Sequence, residues 1–163
     1  MKYKSGMYGG KFIPFHKGHA LCLSVALALC EEVHLILFIN GDDEIEIMKN
    51  DTTYPKELLS PESRIKYIKD IVKDNSRVKF HVIDVMSCKK EDGTEDWDKE
   101  TPLVLNECWF DAVFSSEPSY SAYFTRAYPH APHILVDPKR EKVPISATMI
   151  RNMTEEEAIK WIA

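Results

Sequence analysis

Glycine is scarce in this chain, with six residues in 163, and so is cysteine, with four. Cys22, Cys30, Cys88 and Cys108 make no Cys-x-x-Cys pair, so their spacing indicates neither a zinc knuckle nor a dithiol redox motif. Reduced thiols in a cytoplasm are the simplest reading, and no secretory leader pattern opens the sequence. No apolar stretch reaches the ~20 residues of a membrane-spanning helix, so no membrane partner is implied. Basic charge is also short: 21 Lys and Arg face 26 Asp and Glu, a formal charge of −5. A nucleic-acid binder would show a basic excess, so nucleic acid is not an expected partner. A Gly-x-x-x-x-Gly-Lys-Ser/Thr segment is missing, which excludes a P-loop kinase within these residues. Repeats and low-complexity linkers are absent too. At 44% hydrophobic and 29% charged residues the composition is that of a globular protein, and one domain over residues 1–163 is expected.

The few glycines are not scattered. Gly6, Gly9, Gly10 and Gly18 all fall in the stretch Gly-Met-Tyr-Gly-Gly-Lys-Phe-Ile-Pro-Phe-His-Lys-Gly-His, residues 6–19. There a first strand ends and a first helix begins, the place where open α/β sheets bind anions: glycines let the main chain approach a phosphate, and the helix start offers unpaired N–H groups. His16 and His19, separated by Lys17 and Gly18, are spaced to point the same way. Toward the other end, Ile-Ser-Ala-Thr-Met-Ile-Arg (145–151) supplies Ser146 as a natural N-cap, the Thr148 hydroxyl, and Arg151 one turn on.

Between these segments the pattern alternates strand and helix. Strands are predicted at 4–8, 32–40, 78–85, 112–115 and 134–136, and helices at 18–31, 61–73, 103–110 and 119–128. The 32–40 strand is apolar on both faces, as in the middle of a parallel sheet, with His34 read as a strand histidine. Cys22 and Cys30 are read as packing residues of the first helix, and Trp109 and Phe110 as inward-packing. Asp42 and Asp43 read as a solvated acidic loop rather than a magnesium site. Residues 51–61 read as a polar loop able to cover a site, and Arg64 as either a prop of its helix or a surface ion pair. Residues 86–102 are the least regular. Trp97, within them, could stack on a flat cationic ring or only pin the loop. Ser115, Ser116 and Glu117 suit a ligand loop or a helix start, and Asp137 and Arg140 suit a site or an ion pair across a turn.

The two signature segments, in this order and this far apart, resemble those of the HxGH nucleotidyltransferase superfamily. Val-Asp-Pro-Lys-Arg (136–140) before the second segment makes the chain most similar to the nicotinamide mononucleotide adenylyltransferase domain of the bacterial bifunctional NAD-biosynthesis regulator. That resemblance implies a doubly wound, Rossmann-like α/β fold with a five-stranded, mostly parallel sheet. It also implies adenylyl transfer from ATP to a nucleotide acceptor, with Mg²⁺ held by the phosphates and water. On this basis His16, His19 and Arg151 are expected to be catalytic. Gly9, Gly10, Lys11, Phe12, Lys17, Gly18, Ser115, Ser116, Ser146 and Thr148 would hold the nucleotide, and Trp97, Asp137 and Arg140 the acceptor side. No protein metal site is expected, and a homo-oligomer stays open. Phosphopantetheine or FMN adenylyltransferases and cytidylyltransferases are the nearest alternatives, and a dinucleotide sensor without turnover is the alternative of another class. Cytidylyltransferases usually carry Thr-Phe-Asp where this chain has Lys-Phe-Ile, and pantetheine enzymes replace the first histidine.

Overall fold

The computed structural model describes residues 1–50 and 53–163. Strands β1 (Tyr3–Gly10), β2 (Cys30–Ile39), β3 (Val78–Asp84), β4 (Ala112–Ser115) and β5 (His133–Leu135) form one parallel sheet in the order β3-β2-β1-β4-β5. Helices α1 (Lys17–Leu29), α2 (Gly41–Asn50), α3 (Pro61–Val72), α4 (Trp97–Glu107), α5 (Ser121–Ala127), α6 (Ala147–Arg151) and α7 (Glu155–Ala158) complete it. The chain winds outward from β1 to β3, then crosses back to β4 on the other side of β1. The C-terminal ends of β1 and β4 therefore flank the point where strand order reverses, and a crevice opens there. No helix among the described residues is long and apolar enough to cross a membrane.

Both faces of the sheet are covered, which is why the central strands read as apolar runs. On one face Cys22, Leu23 and Ala26 of α1 and Ile68 and Val72 of α3 pack on Val33, Leu35 and Leu37. On the other, Val104 of α4 and partners from α5 pack on Met7, Ile36 and Val113. A third cluster joins Ile13, Tyr54, Leu59, Ile145, Ile150 and Ala158, and so welds the two signature segments together.

Several expectations need correction. Residues 41–50 are a helix, not an acidic loop: Asp42, Asp43 and Glu44 occupy its first turn, where the helix dipole favours them. Residues 97–107 are likewise helical from the Asp96 cap, whose side chain accepts the Asp98 N–H, and Pro102 lies inside the helix. Trp109 is 60% exposed and stacks on His130, whereas Phe110 is buried. Cys30 opens β2 rather than closing a helix. Of the presumed covering loop, Asp51 and Thr52 lie outside the described residues. The remainder docks through Tyr54 and Leu59 into the third cluster, a wedge rather than a lid.

Arg64 is the largest departure from a surface reading, being only 2% exposed. Its guanidinium donates to the Leu59 carbonyl at 3.0 Å, the Lys11 carbonyl at 2.6 Å and the Glu44 carboxylate, itself buried. It thus ties α2 and α3 to the loop that follows β1.

Candidate active site

The loop from Lys11 to His16 is shaped by its apolar residues. Phe12, Ile13 and Phe15 are all buried, and Phe12 adopts φ 48° while its ring meets Tyr8, Phe15 and His19. This anchoring delivers His16 to the N-cap of α1. There Nδ1 of His16 accepts the Gly18 N–H at 3.0 Å, and Nδ1 of His19 accepts the His16 N–H at 3.1 Å. The reciprocal arrangement is a capping box built from imidazoles. A Cβ on Gly18 would come within 2.8 Å of the His16 ring, so only glycine lets that ring fold back onto the helix.

The caps determine the chemistry. With both Nδ1 atoms accepting, each neutral ring carries its proton on Nε2. Burial, with the Arg140 charge behind it, lowers His16 to about 4. Burial, then His16 and Arg140, holds His19 well below the ordinary imidazole value. The rings stack at 3.7 Å between centroids. At neutral pH the site therefore presents two neutral Nε2–H donors, not two imidazolium cations.

A cleft of about 280 Å³ opens beside them, at the strand switch point. Gly9, Gly10, Lys11, Phe12, His16, Gly18, His19, Ser115, Ser116, Asp137, Arg140, Ser146 and Thr148 all line it, so most of the residues predicted from the sequence converge. Glu117 and Tyr120 join them. Arg140 is a cation of the cleft along with Lys11, and is fixed by donation to the Ile145 carbonyl at 2.8 Å. Asp137 forms no ion pair with it. Its carboxylate accepts the N–H groups of Glu141, Lys142 and Val143, and both residues take positive φ, so the turn aims Arg140 inward. Ser115 is engaged with His133 at 2.6 Å, and the Ser146 hydroxyl caps the Met149 N–H of α6.

Three predicted residues stand elsewhere, Trp97 in a second pocket described below. Lys17 is exposed and does not line the cleft. Arg151 is buried behind it, donating to the Ile13 carbonyl at 2.7 Å and the Thr148 hydroxyl at 3.1 Å. Its position ties the second signature segment to the first.

A second pocket of about 240 Å³ shares Gly9, Gly10, Lys11 and Tyr120 with the cleft. Trp97 lines it, edge-on to Tyr120 and Tyr123, together with Phe38, Phe124, Glu95 and Glu100. The Trp97 N–H donates to Glu95 at 3.1 Å, and the Lys11 ammonium bonds both Glu95 and Asp43. Burial works against a charged Lys11, but those two carboxylates outweigh it and hold the ammonium above its ordinary value. The carboxyl groups of Glu95 and Glu100 are neighbours, and each acts on the other's protonation. Burial and the neighbouring Glu95 push Glu100 up to about 9, so it keeps its proton at neutral pH. Burial opposes the Glu95 carboxylate too, yet the bonds from Glu100, Lys11 and Trp97 hold it below its usual range. Oε1 of Glu100 is buried with no protein partner. This pair escaped sequence reading because Glu95 and Glu100 meet only once 97–107 is a helix.

A carboxyl raised above its unfolded value of ~4.3 loses stability relative to the unfolded chain as pH climbs between the two values. Glu100→Gln should therefore be more stable than the wild type at pH 8, by about 1–2 kcal/mol or roughly 2–8 °C in Tm. The advantage should shrink toward zero near pH 4.5. Melting curves across that range check it, and an advantage independent of pH would remove the titration of Glu100 as its cause.

The chain matches the cytidylyltransferase-like family profile over residues 7–153. Curated relatives include the phosphopantetheine adenylyltransferase of Mycoplasma mycoides subsp. mycoides SC, 23% identical over 150 residues that cover 92% of this chain and 96% of the relative. That of Mycoplasma capricolum subsp. capricolum is 24% identical over the same shares. Among solved structures, NadR protein in complex with NR superposes with TM-score 0.71 at 20% identity, over 99% of this chain and 45% of that one. The bifunctional NMN adenylyltransferase/ADP ribose pyrophosphatase from Francisella tularensis gives 0.65 at 20%, over 99% and 44%. At such identity the superpositions speak for the fold, and the chain spans less than half the length of these two structures. The profile match runs from the start of the glycine-rich segment past the second signature, and with it the chain belongs to the cytidylyltransferase-like family of HxGH nucleotidyltransferases.

Proposed function

We propose that this protein joins ATP to nicotinamide mononucleotide, forming NAD and pyrophosphate. The observation that carries the reading is the second pocket: an aromatic, acid-bearing chamber that shares Gly9, Gly10, Lys11 and Tyr120 with the histidine cleft. ATP would enter the cleft and the acceptor base the chamber, so that their phosphates meet beside Lys11. An oxygen of the acceptor phosphate attacks the α-phosphorus of ATP, the new P–O bond forms as the bond to the β-phosphate oxygen breaks, and pyrophosphate leaves. The acceptor phosphate needs no general base, since its second pKa near ~6 leaves it ionised at pH 7. The protein supplies alignment and charge compensation. Nε2–H of His16 and His19 would donate to the α- and β-phosphate oxygens. Arg140, with Ser146 and Thr148 at the start of α6, would receive the leaving pyrophosphate, and Arg151 would brace Thr148 from behind.

Magnesium fits this scheme as part of the MgATP substrate. The carboxylates that line the cleft, Glu117 and Asp137, each accept backbone N–H groups, and the remaining lining donors suit phosphate oxygens. The ion would then be bound through the ATP phosphates and water.

A nicotinamide base suits the chamber on two counts. Its cationic ring gains from the faces of Trp97 and Tyr120 and from the Glu95 charge. Its carboxamide N–H₂ can donate to Oε1 of Glu100, the buried acceptor that lacks a protein partner. A carboxylate in the same place could donate nothing and would face Glu95. Phosphopantetheine is the second reading, favoured by the curated relatives and by an apolar chamber able to take a neutral arm. The test compares kcat/KM for nicotinamide mononucleotide, its deamidated acid and phosphopantetheine. The amide should lead the acid by at least ~10-fold, and Trp97→Leu should raise KM for the amide nucleotide by about 10-fold with kcat less affected. Efficient use of phosphopantetheine alone would replace this acceptor with the other.

A further inference from the structure

We infer that His34, His81 and Cys108 form a binding site for a borderline-soft divalent transition ion of the zinc class, apart from the catalytic cleft. Sequence spacing hides the group, because the three residues come from β2, β3 and the end of α4. Folding brings a ring nitrogen of each histidine and the thiol sulfur within 4.8 Å of one another.

The hydrogen bonds around the histidines argue for a cation. Nδ1 of His34 and Nε2 of His81 face each other at 2.9 Å. Their outward nitrogens are held by carboxylates: Nε2 of His34 lies 3.1 Å from Glu32, and Nδ1 of His81 lies 3.1 Å from Glu107. A neutral imidazole has one N–H. If each ring gives it to its carboxylate, two lone pairs point at each other and call for something positive between them. Carboxylate, histidine and metal in a row is the arrangement that fixes the tautomer and raises the basicity of ligand histidines. Two imidazoles and a thiolate suit zinc by donor type, with water as the fourth ligand.

The fit asks the thiol sulfur, within 4.8 Å of the two nitrogens, to close to about 3.6 Å from each, while the nitrogens move slightly apart. Tetrahedral bonds of ~2.0–2.1 Å to nitrogen would place the two nitrogens about 3.4 Å apart, so the rings must separate by roughly 0.5 Å. Access exists, as the side chains of His34 and His81 are 12% and 16% exposed and the two glutamates sit at the rim at 41% and 46%. With a thiolate and two carboxylates nearby, a dication would be compensated, Lys79 being the opposing charge next to His34. The place is distinct from the active site: His34 lies four residues before Phe38 on β2, roughly 13 Å along the strand from the second pocket. A bound ion would clamp the C-terminal end of α4, whose other end carries Trp97 and Glu100.

The test uses tag-free protein, stripped with chelator and dialysed against Zn²⁺ or Co²⁺. One ion per chain is expected, together with a rise in Tm and, for cobalt, a thiolate-to-metal charge-transfer band. Cys108→Ser should remove that band and weaken binding by about 10–100-fold, and His81→Gln should abolish binding. Glu107→Gln should weaken it by about 10-fold, because the carboxylate that holds Nδ1 of His81 is lost. Pyrophosphate-releasing activity of Cys108→Ser should match the wild type, which separates failure of this site from failure of the assigned reaction. No bound ion at about 100 μM zinc, or binding indifferent to both Cys108→Ser and His81→Gln, would overturn the inference.

Discussion

Replacing His19 with Asn is expected to lower kcat by about 10²–10³-fold while ATP binding stays within a few-fold of the wild type. The choice of Asn separates two roles that Ala would confound. An Asn side-chain oxygen can stand where Nδ1 stands and go on accepting the His16 N–H, so the cap of α1 survives. What Asn lacks is an N–H at the position of Nε2, the donor assigned to the phosphate oxygens. The same reasoning applies to His16→Asn, whose oxygen can accept the Gly18 N–H. His19→Gln makes the reverse exchange: it offers a donor near Nε2 but strands the His16 N–H. Steady-state kinetics with calorimetric ATP binding and a melting curve distinguish the cases. Near-normal turnover in His19→Asn would mean that the imidazoles serve only to cap the helix.

Arg64→Met should be the most destabilising single change outside the apolar core, costing about 3–5 kcal/mol and lowering Tm by roughly 10 °C or more. Removing the guanidinium leaves the buried Leu59 carbonyl and the half-buried Lys11 carbonyl without that donor, and the buried Glu44 carboxylate with the Asn40 N–H but no positive charge beside it. Most of the cost comes from the stranded Glu44 charge rather than from a lost attraction. A double variant, Arg64→Met with Glu44→Met, should therefore recover about half of the loss. Urea unfolding of the two singles and the double gives the coupling directly. If the double were as unstable as the sum of the singles, the pair would not be coupled as the distances imply. Activity should fall in the single variant as well, because the Lys11 carbonyl belongs to the loop that seats Phe12 and His16.

What the sequence discloses of this molecule follows from how local its causes are. The capping His16-Lys17-Gly18-His19 and the Ser146 cap are contacts within three residues, and both read as helix starts from the sequence. The apolar run in β2 likewise declared a central strand, because a residue covered on both faces has to be apolar. Residues 41–50 hid their helix, since its buried face rests on Glu44, an acid made tolerable only by Arg64 twenty positions away. Residues 97–107 hid theirs behind Pro102 and an acidic approach. With that helix unseen, the pairing of Glu95 with Glu100 had no visible basis, and Trp97 could be singled out by its type but not placed on a helix that walls a chamber. Arg151 shows the opposite limit: its type and spacing read as a cation one turn into the last signature helix, but its direction depends on the carbonyl of Ile13, 138 positions distant.

Adenylyl transfer to a nicotinamide nucleotide is tested by following isotopic label. Protein, Mg²⁺ and nicotinamide mononucleotide would be incubated with ATP labelled at the α-phosphate or, in parallel, at the γ-phosphate. The expected result is α-label in a dinucleotide with the mass of NAD, and γ-label in pyrophosphate, in equal amounts and at rates cut sharply by His19→Asn. Label from the γ-phosphate in the acceptor, release of orthophosphate, or no dinucleotide while phosphopantetheine is adenylylated would contradict it.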